Sequence, residues 1–405
     1  MIRKVSSEGV GYSVADLNDV RYIFVSAVPR TNGDLLGQAH DALTTIEKVI
    51  REEGTHRSII RQAVFLRDPA ELETCKKIIS DFYGDELPAT AYVIQPPCEG
   101  KLLAIEAWGV SARNGGPCQI ERVSENFVIV RHSGAVWAHC AGIVPQTQAS
   151  GVYDRSLDAF NRMRDTLAAK GFDFDQIIRT WLYLGDIVGP EGETQRYKEL
   201  NRARTDFFEG IPFLQKHVPP AFDGALYPAS TGIGMSDREV MMGCVALASD
   251  RDDLLLLPLE NPRQTSAFDY EKHHSPQSPK FSRAMGIVGR ETTCTLISGT
   301  ASIVDSETKF LGDVEGQTQQ TLDNIEALIA PDNFSRYGVE GAGATLDDLV
   351  FVRVYIKHQE DYEKTRAICE QRLGELPTIY AVADVCRSNL LVEVEGVAFA
   401  KRRVS

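Results

Sequence analysis

The sequence predicts an α+β fold built from three tandem copies of one module, each a mixed sheet with two helices on one face. Three observations predict it. An amphipathic helix recurs three times along the 405 residues, each time followed by a run of β-branched and aromatic residues. After each run comes a second, polar helix, and a Pro-containing turn then opens a closing pair of strands.

The first helices share one apolar stripe at helical spacing: Leu43, Ile46 and Ile50, then Phe160, Met163 and Leu167, then Leu322, Ile325 and Ile329. The runs Ile60 to Leu66, Ile178 to Leu184 and Val352 to Ile356 read as central strands. Second helices end at Phe82-Tyr83, Phe207-Phe208 and Leu373. Turns at Pro88, Pro228 and Pro377 follow, and the last strands run over Leu102 to Trp108, Val240 to Ala248 and Leu390 to Phe399. Modules are expected over 1–112, 118–250 and 290–405. Residues 251–289, with Pro258, Pro262, Pro276 and Pro279, are expected to be a long connection that wraps or serves function.

Composition excludes several classes. Apolar content of 43% and charged content of 25% are those of a globular chain. A net charge of −14 disfavours nucleic acid, whose affinity rests on Lys and Arg displacing counterions. No stretch approaches the roughly 18 apolar residues of a membrane span, so no membrane partner and a cytoplasmic location are expected. Eight cysteines form no C-x-x-C pair, and His273-His274 is the one histidine cluster. Neither a metal site nor a cofactor is signalled.

Gly37-Gln38, Phe65-Leu66-Arg67-Asp68 and Ile105-Glu106-Ala107 resemble the RidA (YjgF) family of imine deaminases. The resemblance implies chorismate-mutase-like modules and ligand sites at subunit interfaces. Three fused copies would then form an intrachain pseudo-trimer. More specifically, Tyr227 to Gly234, Glu260 to Gln264, Ser278 to Ala284, Ile297 to Ser302, Asp384 to Arg387 and Leu391 to Glu395 resemble the chorismatases, over roughly residues 126 to 400. Those are RidA relatives that release pyruvate from chorismate, so a small carboxylate is the expected partner.

RidA chemistry implies an Arg two residues after the turn proline, where its planar fork would grip a carboxylate. Here Thr90, Ser230 and Ile379 stand at that place. At the position of the family's catalytic Glu, the three last strands carry Ala104, Met241 and Glu393. Glu393 is either a rim carboxylate or, among Leu390, Leu391, Val392, Val394 and Val397, a buried acid with a raised pKa. Glu395 shares its strand face. The resemblance implies Glu393 as proton donor and Arg366 as a substrate-binding residue, otherwise a solvated helix charge. Arg353, at a strand centre, is expected to hold Glu393 or the ligand, or to bridge two modules. Arg179 and Arg204 are weaker candidates for reaching across an interface. Cys386 is an inert filler or, seven residues before Glu393 as in chorismatases forming 3-hydroxybenzoate, a catalytic neighbour. Gly299 is a bulge glycine or a point of close ligand approach. Three readings stay open: a chorismate hydrolase, a RidA-type deaminase or sensor of another small acid, and a non-catalytic scaffold.

Overall fold

The computed structural model describes residues 2–17, 19–269 and 277–403; His273-His274 lies outside them. The chain is mixed α+β. The first sheet takes β1 (Ile2–Ser7), β2 (Val10–Leu17), β3 (Val20–Ala27), β4 (Ile59–Leu66), β5 (Ala89–Val93) and β6 (Leu103–Ala112). Its order is β1-β2-β3-β6-β4-β5. Helices α1 (Leu35–Glu52) and α2 (Leu72–Tyr83) connect β3 to β4 and β4 to β5. The second sheet repeats that order with β7 (Cys118–Ser124), β8 (Phe127–His132), β9 (Ala135–Ile143), β10 (Ile177–Gly185), β11 (Ala229–Met235) and β12 (Val240–Ser249), and helices α3 (Val152–Ala168) and α4 (Arg196–Phe208).

The third sheet repeats it again: β13 (Leu255–Leu259), β14 (Ala284–Val288), β15 (Thr292–Ala301), β16 (Leu349–Ile356), β17 (Thr378–Val382) and β18 (Val392–Lys401). Its helices are α5 (Val314–Ile329) and α6 (Tyr362–Leu373). The stretch expected to be a connection therefore supplies two strands of this sheet. Pro258 obscured the first of them in the sequence, because proline removes a ladder donor. It is tolerated here because β13 is an edge strand that pairs only with β14.

All three helical stripes are buried against their sheets. Leu43, Ile46 and Ile50 meet Val64, Leu66 and Ile105, while Leu322, Ile325 and Ile329 meet Val352, Val354 and Val394. The opposite sheet faces join one shared cluster with Phe24, Trp108, Trp181, Phe351 and Phe399. Both faces of the central strands are thus covered, which explains why β4, β10 and β16 read as unbroken runs: every residue in them is buried.

Within this apolar junction lies a compact ionic cluster. Arg353 of the third sheet pairs with Glu106 of the first through two nitrogens, one at 2.9 Å. It also donates to Glu395 at 2.9 Å and to the Tyr183 hydroxyl of the second sheet at 2.8 Å. Glu395 accepts from Arg179 at 2.6 Å, Trp181 Nε1 at 3.0 Å and Tyr355 at 3.1 Å. Arg61 stacks 4.0 Å above the Trp181 ring and donates to the Cys140 carbonyl at 2.9 Å. Arg353 thus joins the third sheet to the first and second.

Removing one partner of such a buried pair leaves an uncompensated charge. Glu106→Leu is expected to cost about 3–5 kcal/mol in urea unfolding. The exposed Arg51–Glu47 pair is worth less than about 0.5 kcal/mol, so Arg51→Ala serves as the control.

Candidate active site

Alternation along β18 sends Val392 and Val394 to the helix side and Glu393 and Glu395 to the junction side. Glu395 enters the ionic cluster. Glu393, one rung outward and paired across to Tyr355 and Ala301, instead borders a cavity of about 410 Å3 between the second and third sheets. That volume suits a small organic ligand. Tyr197 and Asn201 of α4, with Ser230 and Gly232 of β11, form one wall; Phe281, Arg283, Gly299, Cys386 and Arg387 form the other.

Glu393 is 4% exposed. Burial, reinforced by the charge of Glu395, raises its pKa to about 8 against the opposing pull of Arg283 and Arg179. A pKa raised in this way favours the protonated carboxyl at neutral pH, and the side chain is buried rather than on a rim. Two residues on, Glu395 is equally buried, but Arg353 and Arg179 overcome desolvation and hold it below the ordinary range. The guanidinium contacts separate the two acids. The Cys386 thiol is pushed up to about 12 by burial and by Glu393, so it borders the cavity as a neutral group.

Gly299 sits in a bulge of β15, where register shifts between Ile297 and Thr300. A Cβ there would collide with Glu393 Oε1 and lie 3.1 Å from Thr231 Cγ2. Its amide donates to Thr231 Oγ1 at 2.9 Å, and that hydroxyl donates to Glu395. The bulge is present, and the close neighbour of its glycine is the Glu393 carboxyl.

Cys386, Gly299 and Glu393 thus meet in one cavity. Arg353 and Glu395 do not reach it; they lie behind it in the ionic cluster, because their charges neutralise each other there. Arg366 is a correction. It lies on α6 in a separate cleft between the third and first sheets, since that helix packs on the far side of its sheet edge from Glu393. Arg179 does cross the junction, to Glu395, while Arg204 is buried behind the wall, donating to Asn201 Oδ1 at 2.5 Å. The cations lining the cavity are Arg283, Arg387 and Lys198, which the sequence reasoning missed. Arg283 and Arg387 lay inside the quoted motifs Ser278 to Ala284 and Asp384 to Arg387, the one signal that pointed to them. Among the described residues no group of three or more His, Cys, Asp or Glu is placed to hold a metal, and no helix is long and apolar enough to cross a membrane.

Register also tests the alignment of the three sheets. Phe65, Tyr183 and Tyr355 face Ala104, Met241 and Glu393, so those last-strand positions are equivalent. On the closing strand, Gln62, Thr180 and Val352 face Thr90, Ser230 and Thr378. Thr378, not Ile379, is therefore the third equivalent, because one residue is missing after Pro377. No arginine stands at any of the three.

A carboxyl protonated in the folded state and ionised in the unfolded one makes stability fall as pH rises. The contribution is complete below about pH 4.5 and is lost as pH rises through about 8. Urea midpoints of wild type and Glu393→Gln are expected to diverge with rising pH, wild type losing on the order of a few kcal/mol relative to the variant. Parallel curves would show that Glu393 titrates normally.

Residues 115–248 match the family described as Chorismatase FkbO/Hyg5-like, N-terminal, and residues 275–400 match Endoribonuclease L-PSP. The chain is 33% identical over 277 residues to a 3-hydroxybenzoate synthase of Streptomyces hygroscopicus, covering 65% of this chain and 76% of that protein. It is 30% identical over 274 residues to a chorismatase of Streptomyces rapamycinicus, covering 66% and 77%. A crystal structure of a chorismatase superposes with a TM-score of 0.66 at 20% identity, over 95% of this chain and 99% of that one, which establishes a shared fold. The chain is an enzyme and belongs to the chorismatase family.

Proposed function

We propose that the enzyme releases pyruvate from chorismate and forms 3-hydroxybenzoate, with Glu393 as the general acid. The observation that carries this reading is a buried, proton-bearing carboxyl beside a ligand-sized cavity lined by Arg283, Arg387 and Lys198. Chorismate is an enol ether with two carboxylates. Cations on the cavity wall suit those carboxylates, Arg through its bidentate fork. Cleavage begins with a proton delivered to the enolpyruvyl methylene carbon, and a carboxyl with pKa near operating pH is matched to that task. The resulting oxocarbenium is attacked by oxygen and collapses to pyruvate. If the oxygen is water's, the second product is a cyclohexadiene diol and one water is consumed. 3-Hydroxybenzoate and pyruvate together contain the atoms of chorismate, so that branch consumes no net water: the oxygen at C3 is kept, and any water that adds to the oxocarbenium is matched by loss of the ring C4 hydroxyl as water when the ring aromatises.

Cys386 favours the second branch. A neutral thiol fills the wall beside Glu393, seven residues before it, as in the chorismatases forming 3-hydroxybenzoate, and the relative from Streptomyces hygroscopicus carries that product in its name. Gly299 leaves Glu393 its place. A deaminase reading is not favoured, since Thr90, Ser230 and Thr378 supply no carboxylate-gripping arginine.

We read the architecture as three fused modules closed into a pseudo-trimer, over about 1–112, 118–250 and 251–405. The shared strand order and the common core of the three sheets support it. In this reading the first module has no substrate of its own at its 104 position and contributes Glu106 to the junction.

Purified enzyme incubated with chorismate is expected to yield pyruvate and 3-hydroxybenzoate in equal amounts by chromatography. Absence of pyruvate sinks the reading. Glu393→Gln should lower kcat by roughly 10²–10⁴-fold, and wild-type kcat should fall as pH rises through about 8, when the acid loses its proton. Cys386→Ala should keep pyruvate release and shift product toward the diol; an unchanged product ratio would remove Cys386 from the assignment.

A further inference from the structure

The apolar faces on which the three sheets meet do not fill all the space between them. A cavity of about 490 Å3 remains, and it shares no lining residue with the Glu393 cavity. All three sheets wall it: Tyr22 and Trp108 from the first, Trp137 and His139 from the second, Leu296 and Phe399 from the third. Its rim is made by three corresponding hairpin turns, at Asp19 between β2 and β3, at Ser133-Gly134 between β8 and β9, and at Gly289 to Glu291 between β14 and β15.

The aromatic wall is held in place by its own contacts. The Tyr22 hydroxyl lies 2.7 Å from His132 Nε2, and the Tyr22 ring centre is 5.3 Å from that of Phe399. His132 in turn stacks on Trp137 at 5.7 Å. Burial pushes His132 down to about 4; burial, with the charges of Arg61 and His132, pushes His139 down to about 3, which favours neutral imidazoles at pH 7. Arg61 stands behind this wall with its guanidinium over the Trp181 ring. The charged lining residues belong to the rim: Asp19, Arg290 and Glu291 are exposed, and Arg251 is tied to Asp253 at 2.8 Å and to the Ser133 carbonyl at 2.9 Å. An anion brought inside would lose its hydration without gaining an ionic partner.

Polar atoms in the wall narrow the choice further. Trp108 Nε1, Trp137 Nε1 and His139 Nδ1 are buried without a hydrogen-bond partner among the described residues. An indole N–H can only donate, so a guest that satisfies one of these carries an acceptor. We propose that this cavity is a second ligand site, taking an uncharged aromatic molecule of one or two rings whose hydrogen-bond acceptor faces an indole N–H. Its volume suits one such molecule. The site does not depend on what the Glu393 cavity acts on.

The test uses the full chain with 4-bromoacetophenone, an uncharged aromatic ketone, and 4-bromobenzoate, an anion of similar size. Soaked crystals should show a bromine anomalous peak beside Trp137 and Phe399 with the ketone and none there with the benzoate. Two of the chain's three tryptophans line the cavity, so in solution the ketone should quench tryptophan fluorescence saturably. Cys294→Phe, at a half-buried position, and Leu296→Phe, at a buried one on the same face of β15, fill the space and should each weaken that titration at least about tenfold. Cooperative thermal unfolding shows which variant is folded; either one suffices, and the contrast between ketone and benzoate needs neither. No peak, a peak confined to the Glu393 cavity, quenching that a folded variant leaves unchanged, or equal occupancy by the benzoate overturns the proposal.

Discussion

The salt bridges of Arg353 to Glu106 and Glu395 are the constraint on which the rest depends. Three sheets converge on an apolar junction, and a guanidinium buried there is tolerated only with its charge balanced and its donors engaged. The partners come from all three sheets: Glu106 from the first, Tyr183 from the second, Glu395 from the third, with Arg179 of the second sheet also donating to Glu395. Any rotation of one sheet against another would separate these charges, so the cluster ties the three sheets to one another.

The same junction sets two neighbouring acids apart. Glu393 and Glu395 lie two residues apart on one strand face and differ only in what the junction offers them. Glu395 meets two guanidinium groups, Trp181, Tyr355 and Thr231 and stays ionised. Glu393 meets Gly299, Cys386 and a cavity, and desolvation by its surroundings keeps its proton on. Its neighbour's negative charge adds to the effect. Thr231, bonded to both Glu395 and the Gly299 amide, ties the bulge to the cluster.

Much of this was legible in the residues. Three helical stripes, three unbroken strands and the position of Glu393 against Ala104 and Met241 follow from periodicity and repeat alignment, and register agrees with that alignment. The edge strand that opens each sheet was not legible, because β1 and β7 are largely outside the buried core and β13 carries Pro258. Arg366 illustrates a second limit: an arginine on an amphipathic helix is one position in sequence, but which junction it faces depends on how whole sheets pack. Arg283 and Arg387 show the converse, residues unremarkable alone that packing gathers around Glu393.

The sequence by itself determined the elements, their repetition and the single acid at the outer position of the third closing strand. Those properties are local, set by spacing along one chain segment. Only the tertiary structure decided that Arg353 and Glu395 lie behind the site and that Gly299 touches Glu393. Each depends on groups far from one another in the sequence being brought into contact in a desolvated junction, where charge balance and the absence of one Cβ decide what a side chain does.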